Sequence, residues 1–186
     1  MKIVIAITGA SGSIYADDFV ERLIAQEKQI EEIAIVKSTN ADLVWKHELN
    51  KEWPNHSKIK YFQKNDFMAP FASGSANWDA MVIVPASMGT IGRIANGISD
   101  DLITRAADVM LKEEKKLIVC PREMPFNQIH LTNLLKLQQA GATIFPTSPS
   151  FYSKPNTIKE LIGTVTSRII DHLGIKQANT YRWSEK

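Results

Sequence analysis

The sequence predicts a doubly wound α/β fold, in which helices cover both faces of a mainly parallel sheet. Short runs rich in Ile and Val recur along the chain, and each is almost continuously apolar rather than alternating. Strands buried on both faces of a parallel sheet have this composition. Helical patterns separate several of the runs, and this alternation of element types is typical of three-layer α/β domains.

Each element follows from a local pattern. Five strands are predicted at the apolar runs KIVIAI (2–7), EEIAIVKS (31–38), AMVIVPAS (80–87), KLIVCP (116–121) and ATIFPTS (142–148). Helices are predicted at Ser13 to Gln26, Ile103 to Glu114 and Leu131 to Gln139. The polar stretch from Lys46 to Lys64 is interpreted as a connecting excursion, and a short polar tail begins at about residue 176. We expect one domain spanning 1–186.

The composition excludes several classes of protein. The 186 residues are 44% hydrophobic and 23% charged with a net charge of +2, which is ordinary for a globular domain without a basic nucleic-acid-binding stripe. Cys120 is the only cysteine, so neither a disulfide framework nor a multi-cysteine metal site is predicted. The first apolar run is too short for a signal peptide or membrane span, and we expect a cytoplasmic protein.

Hydroxyl-rich loops follow three of the predicted strands. Their sequences are TGASGS (8–13), PASMGT (85–90) and PTSPS (146–150). Ligands of open α/β sheets bind beyond the carboxyl ends of the strands. Although Ser, Gly and Pro are common in any turn, three such loops at one edge predict a shared pocket.

The first of these loops has the character of an anion-binding turn. Gly9 and Gly12 allow a tight turn, and the predicted helix that follows directs its free amides and positive dipole toward an anion. A dinucleotide site would add a third glycine and an acidic residue at the end of the second strand. Ser38 stands at that acidic position. A mononucleotide such as FMN therefore fits better.

Charged residues form two further clusters. Arg105 and Lys112 are two helical turns apart and share a face with Asp108, and the pattern by itself favours a solvated face of helix ion pairs over a binding site. Arg122 and Glu123 follow a predicted strand directly. Arg suits bidentate capture of phosphate and Glu can relay protons, with a strand-end ion pair as the alternative.

The remaining polar candidates are scattered. Tyr152 offers a hydroxyl donor beside an apolar ring, and Arg168 offers a guanidinium. His130 and His172 have neither a nucleophile nor a metal-spaced partner nearby, and we expect them to be packing or surface residues. No metal-binding or serine-hydrolase motif is present.

Taken together, the motifs TGASGSIYA, PASMGTIGRIANGISDDLITRAADVMLKEEKKLIV, PREMPFNQIHLTNLLKLQQAGATIFPTSPSFYSKP and RIIDHLG resemble the UbiX/Pad-type flavin prenyltransferases. The resemblance runs from the first strand to Trp183. It implies a Rossmann-like, metal-independent homo-oligomer, commonly a dodecamer, with sites at subunit interfaces. Such enzymes join a dimethylallyl group from dimethylallyl monophosphate to N5 and C6 of reduced FMN. The prenylated FMN then serves a UbiD-type decarboxylase.

The resemblance also implies roles for individual residues. Glu123, Lys112 and, less directly, Glu48 would serve catalysis, and Trp183 would present an aromatic face to the allylic cation. The prenyl phosphate would be bound by Tyr152 and Arg168, with Lys112, Arg105 and Ser73 close by. The FMN site would comprise Gly9, Ala10, Ser11, Ser38, Ser87, Met88, Gly89, Thr90 and Arg122.

Two alternatives remain at the level of sequence. One is an FMN-dependent cysteine decarboxylase of the phosphopantothenoylcysteine or lantibiotic type, but this chain reads PASMGT and PREMPFNQIH where those enzymes have PASAN and PMN motifs. The other is a non-catalytic FMN carrier. Such a carrier has no use for a second phosphate pocket containing Lys112, Glu123, Tyr152 and Arg168.

Overall fold

The computed structural model describes residues 1–177 and contains six parallel strands in the order β3-β2-β1-β4-β5-β6. The strands are β1 Lys2–Ile7, β2 Glu32–Lys37, β3 Ile59–Phe62, β4 Ala80–Ala86, β5 Lys116–Pro121 and β6 Thr143–Ile144. The α-helices are α1 Ser13–Ala25, α2 Ala41–Leu49, α3 Met88–Ala95, α4 Leu102–Lys112, α5 Gln128–Gln139 and α6 Ile158–Leu173. Short 3-10 helices lie at Glu27–Gln29, Pro70–Ala72 and Gly74–Ala76.

The sheet separates two hydrophobic cores. Alternate side chains of β1 show the division, because Ile3 and Ile5 pack toward α1 and α6, whereas Val4 and Ala6 pack toward α3, α4 and α5. Successive side chains of a strand point to opposite faces, so a sheet covered on both sides needs an apolar residue at nearly every position. The predicted three-layer fold with a parallel sheet is confirmed.

The stretch from Lys46 to Lys64, interpreted from the sequence as a connecting excursion, contains secondary structure that was not predicted. It starts within α2 and includes all of β3. As the edge strand, β3 exposes Lys60 and Tyr61 to solvent, so its apolar signal is weak. Trp53, in the loop before it, stacks on Trp45 of α2 with ring centroids 3.8 Å apart. Aromatic packing therefore anchors this loop to the sheet layer.

The run ATIFPTS forms a much shorter strand than predicted. Only Thr143–Ile144 pair with β5, and the Phe145 amide adds one hydrogen bond to Val119 O at 2.8 Å. The Thr147 amide adds a longer hydrogen bond to Pro121 O at 3.4 Å, so the chain stays beside β5 without continuing as a regular strand. Helices α2, α3 and α6 were not predicted.

The end of the chain lies largely outside the described residues. Gln177, the last one described, donates to Ser167 O at 2.8 Å. The predicted tail from about 176, including Trp183, otherwise falls in residues 178–186.

Within 1–177, no helix is long and apolar enough to cross a membrane. In the same range, no group of three His, Cys, Asp or Glu side chains is arranged to hold a metal ion.

Candidate functional site

The hydroxyl-rich loops line two cavities instead of the single pocket expected from the sequence. The loop after β6 is separated from the others because β5 lies between β4 and β6. The β1–β4 cavity, of about 460 Å³, is lined by Gly9, Ser38, Thr39, Asn40, Lys64, Ser87, Gly89, Thr90, Arg93 and Asp101. The α6 cavity, of about 500 Å³, is lined by Phe145, Ser148, Ser150, Tyr152, Thr164, Val165, Ser167 and Arg168.

A buried threonine that the sequence analysis missed joins the first two loops. The Thr8 hydroxyl donates to Pro85 O at 2.7 Å and accepts from the Ser87 amide at 2.9 Å. Thr8 is only 1% exposed. Its hydroxyl thus sets the spacing between Gly9 and Ser87 across the β1–β4 cavity. Its position directly after the first strand was the only signal in the sequence.

We expect Thr8→Val to lower the free energy of unfolding by about 2 kcal/mol, because the buried Ser87 amide and Pro85 carbonyl would lose their hydroxyl partner. Urea unfolding followed by circular dichroism measures the change. Thr8→Ser keeps the hydroxyl and is the matched control. Equal stability of the Val variant and the wild type would contradict this role.

Glu48 caps the amino end of α1. Its Oε2 accepts from the Ser13 amide at 2.7 Å, and both carboxylate oxygens lie 3.0 Å from the Gly12 amide. Partial burial favours the neutral carboxyl. Hydrogen bonds from the Ser11 hydroxyl and these two amides outweigh it, so the pKa of Glu48 lies below its ordinary value. The turn predicted to bind a phosphate therefore already holds a carboxylate of this chain, and the proton-handling role of Glu48 stays a prediction.

A pH-dependent stability difference should follow for Glu48→Gln. A carboxyl whose pKa is lowered by folding stabilises the protein above its unfolded pKa of about 4.3, and this contribution is lost as the pH falls through the folded value. We expect the variant to be less stable by about 0.5–1 kcal/mol at pH 7, since the carboxylate is exposed, and the difference to shrink as the pH is lowered toward 3.

Thermal unfolding across this pH range measures that difference, with Glu52→Gln as the control. Glu52 is a nearby exposed carboxyl. A difference between Glu48→Gln and wild type that persisted unchanged at pH 3 would show that charge is not its cause.

The start of α3 supplies donors to the β1–β4 cavity. Ser87 is the N-cap of α3 and its Oγ lies 3.1 Å from the Thr90 hydroxyl. A Cβ built on Gly89 meets no protein atom within 4 Å, so open space reaches the backbone there. Gly9, by contrast, packs closely, because its Cβ would lie 2.5 Å from Asn40 Cβ. The cavity therefore presents hydroxyls, amides and an unobstructed backbone, which suit a phosphorylated ligand.

Arg122 stands at the end of β5, between the loops that line the two cavities. Its amide donates to Ala86 O at 3.2 Å. Its Nε is buried and has no hydrogen-bond partner among residues 1–177. Buried polar groups are seldom unpaired, so this donor fits a ligand acceptor such as a flavin. Glu123 is exposed and accepts from the Met124 amide at 3.1 Å, and it forms no ion pair with Arg122 in residues 1–177.

The α6 cavity carries a guanidinium, and no carboxylate of residues 1–177 lines it. Arg168 is exposed on α6 and makes no ion pair within the described part of the chain. Tyr152 is 70% exposed and lines the same cavity. Ser148, Ser150 and Ser167 add further hydroxyls. This combination suits a second, phosphate-bearing ligand.

Within one chain, Lys112, Arg105 and Ser73 do not line the α6 cavity, and their place beside the prenyl phosphate stays a prediction. Helix α4 packs on the face of the sheet opposite to α6. Lys112 ends α4, about 10 Å along the helix from Arg105, and pairs with Glu113 at 3.2 Å. Arg105 pairs with Asp108 at 3.1 Å, as the alternative of a helix ion pair predicted.

The other candidates have structural roles or fall outside the described residues. His130 closes a capping box with Asn127 at the start of α5, and the His172 ring packs edge-on against Phe145 at 5.4 Å. Both histidines are thus capping or packing residues. Ala10, Ser11 and Met88 belong to the loops around the β1–β4 cavity without lining it. Trp183 lies among residues 178–186.

Comparison with known proteins agrees with this geometry. The family model described as Flavoprotein matches residues 1–170. The flavin prenyltransferase UbiX of Methanocaldococcus jannaschii is 46% identical over 185 residues, covering 98% of both chains. The chain belongs to the UbiX flavin prenyltransferase family. The predicted family resemblance is confirmed.

Two solved structures extend the family likeness to three dimensions. A dodecameric FMN-dependent UbiX-like decarboxylase from Escherichia coli O157:H7 is 33% identical, with a TM-score of 0.89 and complete coverage of both chains. AnUbiX (PadA1), solved in complex with FMN and dimethylallyl pyrophosphate, is 37% identical with a TM-score of 0.85. That comparison covers 97% of this chain and 98% of the other.

Proposed function

We propose that this chain transfers a dimethylallyl group from dimethylallyl monophosphate to N5 and C6 of reduced FMN. The observation that carries the proposal is the presence of two cavities flanking Arg122. One is lined by hydroxyls and the start of α3, and the other by Arg168 and Tyr152. Transfer between two phosphorylated molecules needs two such sites. The solved relative that holds FMN together with an allylic phosphate ester supports the assignment.

Residues of the α6 cavity would stabilise the leaving group. Transfer breaks the allylic C–O bond, which puts charge on the departing phosphate and leaves a positive allylic fragment. The Arg168 guanidinium and the Tyr152 hydroxyl are donors suited to the phosphate, and donors already in place lower the barrier most effectively. Reduced FMN supplies the nucleophile. Glu123, which is exposed directly after β5, would accept a proton as the new bonds form.

A homo-oligomer, proposed here as a dodecamer, would complete this site. Large apolar side chains are exposed on several elements, with Met124 at 87% and Phe151 at 70%. Such surfaces typically mark protein interfaces. Lys112 and Arg105, which face away from the α6 cavity of their own chain, would reach the cavity of a neighbouring copy. The dodecameric relative supports this arrangement, and a UbiD-type decarboxylase is the proposed recipient of the product.

The alternatives explain fewer features. A non-catalytic FMN carrier would leave the α6 cavity, with its unpaired Arg168, without a role. A cysteine decarboxylase would need to bind a peptide or cysteine carboxylate there. A direct assay distinguishes all three functions.

The test is anaerobic incubation of the protein with dithionite-reduced FMN and dimethylallyl monophosphate, followed by mass spectrometry of the extracted flavin. We expect a flavin heavier than FMN by one C5 unit. Parallel reactions with dimethylallyl pyrophosphate, and with no protein, identify the donor and the background. Unmodified FMN with both donors would overturn the proposal, and decarboxylation of a C-terminal cysteine peptide would favour the decarboxylase.

A further inference from the structure

The phosphate of FMN cannot take the site that the opening turn first suggests. The amides at the start of α1, those of Gly12 and Ser13, already donate to the Glu48 carboxylate. A phosphate dianion placed there would meet a like charge at hydrogen-bonding distance, which is strongly unfavourable. The group that distinguishes FMN from riboflavin must therefore bind away from these two amides, and the β1–β4 cavity, which neither Gly12 nor Ser13 lines, is the site to consider.

The charges of that cavity single out one side chain. Its two cations are Lys64 and Arg93. Arg93 is neutralised by Asp100 at 2.6 Å and Asp101 at 2.7 Å. Lys64 has no carboxylate partner in residues 1–177, and its Nζ donates only to the Thr39 hydroxyl, at 2.7 Å. The ammonium is held beside the loop that follows β2, with donors left to bind an anion.

We propose, resting on the proposed function, that Lys64 binds the phosphate of FMN and makes the site prefer FMN to riboflavin. The Thr39 hydroxyl positions the ammonium, and the hydroxyls of Ser38, Ser87 and Thr90 line the same cavity. The Lys64 backbone is fixed independently, because its carbonyl accepts from the Leu102 amide at 2.7 Å. Removal of the side chain should therefore leave the segment in place.

The test compares the affinities of FMN and riboflavin by quenching of flavin fluorescence. For Lys64→Ala we expect the Kd of FMN to rise about tenfold, the low end for loss of a charged hydrogen bond, with riboflavin unchanged. Lys64→Arg should retain the preference for FMN. Lys60→Ala is the matched control, because Lys60 is an exposed lysine of β3 that does not line the cavity. Raising the salt concentration should shrink the wild-type preference.

Each other outcome overturns the assignment. Equal loss of both flavins in Lys64→Ala would mean that the side chain acts on the fold, and unchanged binding of both would mean that it takes no part. If Lys64→Ala bound FMN normally while the wild type transferred the prenyl group, only the role of Lys64 would be refuted and the proposed function would stand. A wild type that binds neither flavin would refute the proposed function as well.

Discussion

Arg168→Ala should reduce prenyl transfer by about 10²- to 10³-fold while leaving FMN binding unchanged. Removal of one fixed donor to a developing anion has effects of this size. Arg168 is the guanidinium of the α6 cavity and carries no ion pair within residues 1–177, so its charge remains for the donor phosphate. It does not line the β1–β4 cavity, which is why the flavin should be unaffected.

The measurement combines flavin fluorescence for binding with single-turnover mass spectrometry for transfer. Lys159→Ala is the control on the same helix, where Lys159 is ion-paired with Glu21 at 2.8 Å outside the cavity. Arg168→Lys keeps the charge and should recover part of the rate. If Arg168→Ala lost FMN binding instead, the α6 cavity would be the flavin site and the two assignments would be exchanged.

The parts of the fold that could be predicted from the sequence are the strands that are buried on both faces. Strands such as β1 and β4 are covered on both faces, so nearly every residue is apolar and the pattern cannot be mistaken. The loops at their carboxyl ends follow from chain order alone. This explains why the loops that contain Gly9 and Ser87 were predicted to share a pocket, whereas Ser38 was assigned to the FMN site by the family resemblance.

The parts that sequence could not predict depend on distant side chains. Glu48 reaches Gly12 across 36 positions, and no local pattern marks a carboxylate that caps a helix so far away. Lys64 lies in a polar segment whose edge strand is half exposed. The separation of Lys112 from Arg168 is a consequence of which face each helix covers. The spacing of residues along the sequence does not indicate which face of the sheet a helix covers.

Arg122→Met should weaken FMN binding by about 10- to 100-fold and yet raise the stability of the flavin-free protein by about 1 kcal/mol. A buried donor without a partner costs about 1–3 kcal/mol, and the Nε of Arg122 is such a donor. An apolar side chain of similar length removes that cost. The same change also removes the donor that a bound flavin would satisfy, which accounts for the lost affinity.

The opposite signs of these two effects make the prediction specific. Denaturant unfolding without flavin measures the stability, and fluorescence titration measures the affinity. Arg122→Lys keeps the charge without the Nε, so it should recover stability similarly but restore little binding. A loss of stability in Arg122→Met would show that Arg122 supports the fold. Higher stability together with lost binding would show that Arg122 destabilises the flavin-free protein and contributes to binding the flavin. Binding sites commonly show this trade-off between stability and function.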